Sequence, residues 1–410
     1  MVDMRWIWNA MAWIGIVVVS LLVLRFIQFP FIWIFLLLAT AFGAHAALGR
    51  ARRALWLNVA AVFVALGAAE YYLSLSDVFA DRVDEGSVDQ VFSPHEELGW
   101  APPPGQVVQH KRSFEGDVIY DVDYTIAPNG LRISSPPNVA DHPGQDCILM
   151  FGGSFMFGQG LEDDEALPFQ LNVLSDNHYR PYNFAVMGYG AHQMLAALER
   201  GLVEEVVDCK ADRVSHAIYN AIPDHIRRSA GRVWWNTRGP IYRLNADGGA
   251  EFAGYLEDTK EDAIDKSWTQ LIENQFSKSR IYLALYEGTY ARKYDRETID
   301  LYLSIVARAE SLIRAEYPRA QLHVLWWDED DLDNQAVIDG LRERAIALHL
   351  MSDILPNYES DAVNMEYRFD WRDTHPNALA NDLIARYALR NILSDPRRGA
   401  HPPADSASNS

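Results

Sequence analysis

Three apolar runs dominate the first 75 residues of the chain and limit what that region can fold into. They cover 6–24, 26–47 and 54–74, and the first of them contains no charged residue. A helix needs about 20 apolar residues to cross the hydrocarbon core of a bilayer, and each run is about that long. The sequence therefore predicts a transmembrane region over 1–75 with three spanning helices.

The orientation of these helices follows from the positive charges between them. The loop GRARR at 49–53 holds three arginines, and loops rich in Lys and Arg stay in the cytoplasm, so everything after Asp77 is predicted to lie outside. Arg25, in the short external turn, is a single opposing charge. A cleaved signal peptide and a buried hairpin of a soluble protein are the alternatives. We expect a multi-pass protein of a bacterial inner membrane with its large domain in the periplasm.

Charge is distributed unevenly along the chain. Residues 1–75 hold five arginines against two acidic residues, a net +3, and since the whole chain carries −20, the remainder carries −23. So acidic a region does not attract nucleic acid or anionic lipid headgroups by bulk charge. The chain has only two cysteines, Cys147 and Cys209, which excludes a disulfide framework and a cysteine-rich zinc site.

The remaining sequence changes pattern near residue 146. Residues 76–145 read as a polar connector and a small β-rich module, with an alternating run at 119–127 and a tight turn in PNGLR at 128–132. From 146 to 394, short apolar strands alternate with helical patterns, which predicts a parallel sheet covered by helices on both faces. The predicted strands are 147–151, 182–187, 214–219 and 322–327, and the predicted helices are 191–206, 297–316, 333–348 and 377–393. Residues 395–410 are rich in Pro, Ser and Ala and are predicted to be a disordered tail.

A serine follows the first predicted strand of this sheet, in the segment FGGSFMFGQG at 151–160. Ligands of a parallel sheet bind outside the carboxyl ends of its strands, so Ser154 lies where a nucleophile is needed. Gly152 and Gly153 allow a tight turn and leave room beside the hydroxyl. Backbone N–H groups at this turn can stabilise an oxyanion. Strand–Gly–Gly–Ser turns are also common in proteins without such a site, so this segment alone does not decide the function.

A second segment, FDWRDTHPNALAN at 369–381, contains the groups that a serine nucleophile requires. The His375 imidazole is a suitable base at neutral pH. It needs a carboxylate to fix its tautomer, and Asp373 is close enough in sequence to provide one, with Asp370 as the alternative. A lone Asp-x-His is usually a solvated loop, but together with Ser154 it predicts a catalytic triad.

These segments resemble the motifs of the SGNH/GDSL hydrolase superfamily and occur in the same order along the chain. FGGS at 151–154 is similar to the family's GDS motif, with Gly153 in place of the aspartate. YNFAVMGYG at 182–190 resembles the second motif, in which Asn183 opens the segment and Gly188 contributes an N–H to the oxyanion hole. The resemblance implies an α/β fold with a three-layer parallel sheet, SGNH/flavodoxin-like, and chemistry that needs no metal or organic cofactor.

DTHPN at 373–377 matches the last motif of the family, with the aspartate two positions before the histidine. The third motif fits less closely. Family members end the next strand with Asn-Asp, and the Asn amide completes the oxyanion hole. In IYNAIPDHIRR, placing Asp224 at the aspartate position puts Pro223, which has no N–H, at the asparagine position. Asn220 is then the nearest amide and is predicted to complete the oxyanion hole. A turn cap is the alternative role for Asn220, and His225 is the alternative donor.

Two further segments bear on the substrate. Residues 95–132, with HEELGW and YTIAPNGLR, resemble a module that precedes such domains in enzymes associated with bacterial surface polysaccharides. The segment 229–292 is predicted to be an insertion rich in aromatic residues. These residues are predicted to form either a carbohydrate-stacking lid or the core of a small subdomain. The aromatic residues are Trp234, Trp235, Tyr242, Tyr255 and Trp268.

The resemblance predicts an outward-facing enzyme that acts on O-acyl esters, most simply acetyl, of a periplasmic or cell-surface glycan. An O-acetyltransferase on the same glycan would use the same residues but would need a membrane partner from an export or acylation system. An inactive SGNH-like protein that binds glycan or scaffolds such a system is the third hypothesis. In the family's sheet the strands after Cys147 and Cys209 are neighbours, so a disulfide between the two is another expectation. A buried, unpaired Cys147 is its alternative.

Overall fold

The computed structural model describes residues 30–48, 52–80, 83–86, 91–114, 116–137, 139, 144–233, 236, 238–256, 279, 281, 294–358, 365–370 and 372–393. The chain divides into two compact units, Met1–Asp84 with Lys260–Lys293 and Glu85–Thr259 with Tyr294–Ser410. The predicted helix at 6–24, the predicted tail at 395–410, and Trp234, Trp235 and Trp268 of the predicted insertion lie outside the described residues.

Two helices make up most of the described part of the first unit, α1 (Pro30–Leu48) and α2 (Arg53–Ala80). The ring of Phe42 on α1 stacks on Trp56 and Phe63 of α2, so the two helices form an antiparallel hairpin. Among the described residues, one stretch, Arg53–Ser74, is long and apolar enough to cross a membrane, and the apolar part of α1, Phe31–Ala46, is shorter. Of the three predicted spanning helices, the described residues thus contain one that meets both criteria.

The second unit is built mainly from strands and short helices. The strands within the described residues are β1 (Val83–Gly86), β2 (Ser93–His95), β3 (Gly99–Ala101), β4 (Val107–Phe114), β5 (Asp117–Thr125), β6 (Asp146–Gly152), β7 (Tyr179–Asn183), β8 (Val214–Ala221), β9 (Pro240–Leu244), β10 (Ala250–Tyr255), β11 (Gln321–Trp326), β12 (Ala347–Leu350), β13 (Arg368–Asp370) and β14 (Asp373–Pro376). The helices described after α2 in this part of the structure are α3 (Ser154–Phe157), α4 (Leu167–Leu174), α5 (Ala191–Glu199), α6 (Leu202–Val206), α7 (Asp224–Ser229), α8 (Arg296–Glu316), α9 (Leu332–Glu343), α10 (Met351–Ile354) and α11 (Ala378–Asn391).

Five parallel strands form the central sheet, in the order β12-β11-β8-β6-β7. If these five strands are renumbered 1 to 5 in the order in which they occur along the chain, their order across the sheet, read from β7 to β12, is 2-1-3-4-5. This is the flavodoxin-like arrangement. In such a sheet the order reverses between the first and third strands, here β6 and β8, and ligands bind at the carboxyl ends beside that point. The topology therefore marks the ends of β6 and β8 as the place for a site.

Side chains of the central strands alternate between two hydrophobic cores, one on each face of the sheet. On β6, Cys147, Leu149 and Phe151 enter the core shared with α5, α8 and α9, whereas Ile148 and Met150 enter the core shared with α4 and α11. A parallel strand with both faces covered is expected to be apolar throughout, as this one is. The predicted α/β class and parallel sheet are confirmed.

One strand of the sheet was missed in the sequence. The predicted helix at 333–348 ends earlier, at Glu343, and the chain turns through Ala345 at φ 55° into β12. The segment IALHL at 346–350 continues the apolar pattern of the helix without a glycine or proline. Periodicity alone therefore did not separate helix α9 from strand β12.

Two other predicted elements have different bounds. The strand predicted at 182–187 ends at Asn183, whose side-chain oxygen accepts a hydrogen bond from Ala185 N at 3.2 Å and bends the backbone out of the sheet. The helix predicted at 191–206 is two helices, broken where Gly201 adopts φ 72°. A left-handed glycine is the usual way to end a helix.

The module that precedes the sheet is anchored to it by one arginine. Arg132, from the predicted PNGLR turn, is buried and donates hydrogen bonds to the carbonyl oxygens of Phe157, Gly158 and Leu161 at 2.7–2.9 Å. It also pairs with Asp163 at 2.8 Å. These contacts hold the β4–β5 hairpin module on the loop that follows α3.

Cys147 and Cys209 form a disulfide, and their Cα atoms are 6.6 Å apart. This separation lies within the 4.4–6.8 Å that disulfides usually span. The described part of the predicted insertion contains the β9–β10 hairpin. There Tyr242 is buried and donates a hydrogen bond to Glu199, and Tyr255 donates one to Glu97. Tyr242 is therefore a core residue rather than part of a lid.

Candidate active site

Ser154 lies at the turn between β6 and α3, at the carboxyl edge of the sheet. Ser154 is buried, with 5% of its surface exposed to solvent. Gly152 adopts φ 157°, and a Cβ there would come within 2.8 Å of both Asn220 O and Met156 Cβ. Only glycine lets β6 pass this close to β8 and still turn into the helix, which brings the serine hydroxyl to the mouth of the sheet.

A continuous hydrogen-bonded series joins Ser154 to His375 and Asp373. The Nε2 atom of His375 lies 2.9 Å from Ser154 Oγ, and its Nδ1 atom lies 2.6 Å from Asp373 Oδ1. The backbone N–H of His375 also donates to Asp373 Oδ1, at 3.0 Å. Because both nitrogens of the ring are engaged, the imidazole is held in the orientation that a general base needs.

A short hairpin places the histidine and the aspartate. Strand β13 pairs antiparallel with β14, and Asn377 then caps α11 by accepting a hydrogen bond from Ala380 N. Asp370, the alternative partner of His375, instead accepts hydrogen bonds from Arg372 and from Asp373 N. Asp370 thus shapes the turn that presents Asp373, and the contact to the histidine is made by Asp373.

The Asp373 carboxylate is fully buried and remains charged. Burial alone would raise its pKa, but hydrogen bonds from the ring and backbone of His375, together with the charge of Arg112, hold the pKa below its ordinary value. Arg112 NH1 lies 3.0 Å from Asp373 Oδ2. Arg112 belongs to β4, in the module before the sheet, and sequence reasoning did not find it because nothing local to residue 112 resembles a catalytic motif.

Asn220 is the last residue but one of β8 and lies directly beside the nucleophile turn, since it is paired with Gly152 in the sheet. It is buried, and its side-chain oxygen accepts a hydrogen bond from Trp327 Nε1 at 2.7 Å. This contact leaves the NH2 end of the amide to act as a donor. Phe155 packs edge-on between Trp327 and His375, so an aromatic wall lines this side of the site. Trp327 is another residue that the sequence did not indicate.

The loop after β7 passes close to the nucleophile turn. Gly188 adopts φ 85°, and Tyr189 N then donates to Val186 O at 3.0 Å, which forms a tight turn. A Cβ on Gly153 would lie 3.0 Å from Tyr189 O, so the loop lies against the residue before Ser154. The structure brings this loop to the site, and the role of Gly188 as an oxyanion donor stays a prediction.

The space beside Gly153, where the GDS motif would place an aspartate, is filled from α7. A Cβ on Gly153 would lie 2.9 Å from His225 Nε2 and 3.0 Å from an Arg228 nitrogen. His225 hydrogen-bonds Tyr219 at 2.7 Å, and burial keeps its pKa well below the ordinary value, so the ring is neutral. Asp224 pairs with Arg227 at 2.6 Å and with Arg228 at 2.7 Å.

A cavity of about 310 Å³ lies between the 93–104 segment and α5, on the face of the sheet into which Phe151 projects. Phe151 and Met194 are among its apolar lining residues, and none of the triad residues lines it. Within the described ranges, no three His, Cys, Asp or Glu side chains are grouped to hold a metal ion. The groups assembled around Ser154 are those of nucleophilic acyl transfer.

Comparisons with known proteins give distant likenesses. No family model matches the sequence, and no curated protein matches it. Among solved structures, the chain is similar to a lipolytic protein assigned to the G-D-S-L family from Desulfitobacterium hafniense DCB-2, with 12% identity over 60% of this chain and 99% of that one, and a TM-score of 0.31. It is also similar to an acetyl xylan esterase from Butyrivibrio proteoclasticus, with 13% identity over 62% of this chain and 65% of that one, and a TM-score of 0.36.

A third similar structure is phospholipase A1 from Streptomyces albidoflavus NA297, with 12% identity over 60% of this chain and 99% of that one, and a TM-score of 0.31. At this level of similarity the neighbours carry no argument about function. What this chain does is inferred from its own sheet order and from the contacts of Ser154.

Proposed function

We propose that this chain is an SGNH-type serine esterase that removes O-acyl groups, most simply acetyl, from a glycan outside the cytoplasm. The observation that carries the proposal is the series of contacts Ser154–His375–Asp373, at 2.9 and 2.6 Å, located at the switch point of a 2-1-3-4-5 sheet. An inactive scaffold has no need to keep a buried carboxylate and an imidazole aligned on a serine hydroxyl. The intact series therefore favours an enzyme over that alternative.

The reaction proceeds through an acyl-enzyme. His375 Nε2 takes the proton of Ser154 Oγ as the oxygen attacks the ester carbonyl carbon, and the carbonyl oxygen becomes an oxyanion. The imidazolium then gives that proton to the leaving sugar oxygen as its bond to carbon breaks. Water repeats the two steps on the acyl-serine, so that carboxylic acid leaves and Ser154 regains its proton.

Three donors are proposed to stabilise the oxyanion, namely the N–H groups of Ser154 and Gly188 and the side-chain amide of Asn220. The hydrogen bond from Trp327 supports this role for Asn220, since it fixes which end of the amide is the donor. Asp373 orients His375 and stabilises the imidazolium that forms during each step.

The substrate class and the location rest on different observations. The 95–132 module resembles one that precedes SGNH domains in enzymes of bacterial surface polysaccharides, which supports a glycan ester. The apolar stretch Arg53–Ser74 supports a membrane anchor. The disulfide between Cys147 and Cys209 supports an oxidising compartment such as the periplasm. A tag placed within 49–53 should be inaccessible from outside intact cells, and external labelling of that tag would overturn the proposed orientation.

Reaction of the full-length protein with a serine-directed fluorophosphonate tests the activity directly. Wild-type protein should be labelled and should hydrolyse an acetyl ester, while Ser154→Ala should lose both properties and remain folded. Ser352→Ala, on α10, is the matched control and should behave as wild type. A folded wild-type protein that neither reacts nor hydrolyses esters would overturn the proposal. Product analysis with an added acceptor glycan separates transfer from hydrolysis.

A further inference from the structure

The second oxygen of the catalytic carboxylate is bound by a residue from outside the parallel sheet. Asp373 Oδ1 faces His375, while Asp373 Oδ2 lies 3.0 Å from Arg112 NH1. The Asp373 side chain is completely buried, and the Arg112 side chain is 18% exposed. Each oxygen of the carboxylate thus has its own partner, and the partner of Oδ2 is a cation.

The strand that carries Arg112 is fixed relative to the nucleophile helix. Arg112 is paired with Tyr120 across the β4–β5 hairpin, and Tyr120 accepts a hydrogen bond from Gln159 at 3.1 Å. Tyr124, on the same face, accepts one from Gly160 N at 2.8 Å and contacts His110 at 2.9 Å. Residues 159 and 160 lie two and three positions after the end of α3. The hairpin is therefore attached to the catalytic domain within a few residues of Ser154.

A buried carboxylate that lost its cation would rotate or take up a proton. Removing one partner of a buried ion pair is costly because the other charge is left uncompensated. His110, the other titratable group on this face of β4, cannot replace the cation, because burial and the nearby Arg112 lower its pKa to about 4 and keep the ring neutral. The charge that faces Asp373 Oδ2 therefore comes from Arg112.

We propose that Arg112 is a positioning residue of the triad, which holds the Asp373 carboxylate so that Oδ1 points at His375. The β4–β5 hairpin is then part of the catalytic centre, not only a neighbouring module. The inference rests on the proposed esterase function.

The test compares Arg112→Met and Arg112→Lys with Lys111→Met in the full-length protein. Lys111 is the matched control, because it is the adjacent cation on the same strand, is 46% exposed and pairs with Asp121 away from the triad. Arg112→Met should lower kcat about tenfold or more with little change in KM, because a buried carboxylate without its cation no longer keeps Oδ1 directed at His375. Arg112→Lys should recover part of the loss, and Lys111→Met should match wild type.

The pH dependence adds a readout that loss of packing would not change. Without the guanidinium the pKa of Asp373 rises, so the acidic limb of kcat/KM in Arg112→Met should move to higher pH. Arg112→Lys keeps a positive charge and should leave the limb near its wild-type position. An unchanged limb in a folded Arg112→Met variant would overturn the inference.

A double-mutant comparison asks whether Arg112 acts through Asp373. The rate of fluorophosphonate labelling is measured for Arg112→Met in the wild-type background and in an Asp373→Asn background. The loss should be large in the first and nearly absent in the second, because the positioned group is already gone. Equal losses in both backgrounds would contradict the inference. If Arg112→Met does not fold, the same comparison is made with Arg112→Lys. Wild-type protein without labelling would instead reject the esterase function itself.

Discussion

The indole N–H of Trp327 donates to the side-chain oxygen of Asn220 at 2.7 Å. An asparagine amide has one accepting and one donating end, so a partner on its oxygen fixes the direction of its NH2 group. Trp327 directly follows β11, and Asn220 is the last residue but one of the neighbouring strand β8. The contact therefore links the aromatic wall of the site to the residue proposed to complete the oxyanion hole.

Removal of the Asn220 amide should slow the chemical step. Asn220→Ala is expected to lower kcat by about 10²–10³ with little effect on KM, as loss of an oxyanion donor does elsewhere. Trp327→Phe should give a smaller decrease, because the amide remains but can turn over. Steady-state kinetics on an acetyl ester measure both effects.

A second Trp–Asn hydrogen bond, on the opposite face of the sheet from Trp327, provides a control for this comparison. Trp326 Nε1 donates to Asn334 Oδ1 at 2.8 Å, and Trp326 packs in the core on the opposite face of the sheet from Trp327. Trp326→Phe should therefore reduce stability but leave kcat of the folded protein unchanged. If Trp326→Phe and Trp327→Phe lowered kcat equally, the assignment of Asn220 would be wrong.

The two aspartates before His375 should respond differently to substitution. Asp373→Asn is expected to lower kcat by about 10⁴, because an amide at this position favours the wrong tautomer of the histidine. Asp370→Asn keeps the triad and disturbs only the turn bound to Arg372, so its activity should fall by less than about tenfold. Equal losses in kcat for both variants would show that the carboxylates share the role.

Arg132 should be far more important for stability than an exposed arginine. It is buried with three carbonyl partners and the Asp163 carboxylate, and breaking a buried pair costs about 3–5 kcal/mol. Arg132→Met should therefore lower the melting temperature clearly. Arg314→Met is the control, since its pair with Glu310 lies on the surface of α8 and contributes about 0.5 kcal/mol. Thermal unfolding of the two variants with similar midpoints would contradict the anchoring role.

The disulfide predicts the behaviour of the two thiols in protein isolated without reductant. Cys147 and Cys209 should both resist alkylation, and the non-reduced chain should migrate faster on a denaturing gel than the reduced chain. Cys209→Ser should abolish the difference in migration. Free alkylation of both thiols in protein recovered from the outer side would exclude the bridge, and it would leave the assignment of Ser154 intact.

The parts of the site that were predicted from sequence are those in which neighbouring residues determine the geometry. Gly152 and Ser154 occupy one turn, and Asp373 and His375 occupy one short strand, so their spacing already limits their arrangement. The flavodoxin-like parallel sheet was implied by the family resemblance and is present, and its strand order is 2-1-3-4-5.

Arg112 and Trp327 could not be predicted, because each contacts the site across a long sequence separation. Trp327 lies 107 positions from Asn220, and nothing in the residues near either one specifies that the two will meet. The strand β12 was missed for a different reason, since its few apolar residues are compatible with both a helix and a strand until the chain turns at Ala345.

Ser154 and His375 are 221 positions apart, and Arg112 comes from earlier in the chain than both. Contacts between such distant positions are slow to form, because the loop-closure entropy of a long intervening chain must be overcome. During synthesis the nucleophile is made long before its base, so no working site exists until the β13–β14 hairpin has formed and placed His375 against Ser154. Ester hydrolysis is therefore a signal that the β4–β5 hairpin, the central sheet and the β13–β14 hairpin have come together, which would make it a convenient measure of assembly in living cells.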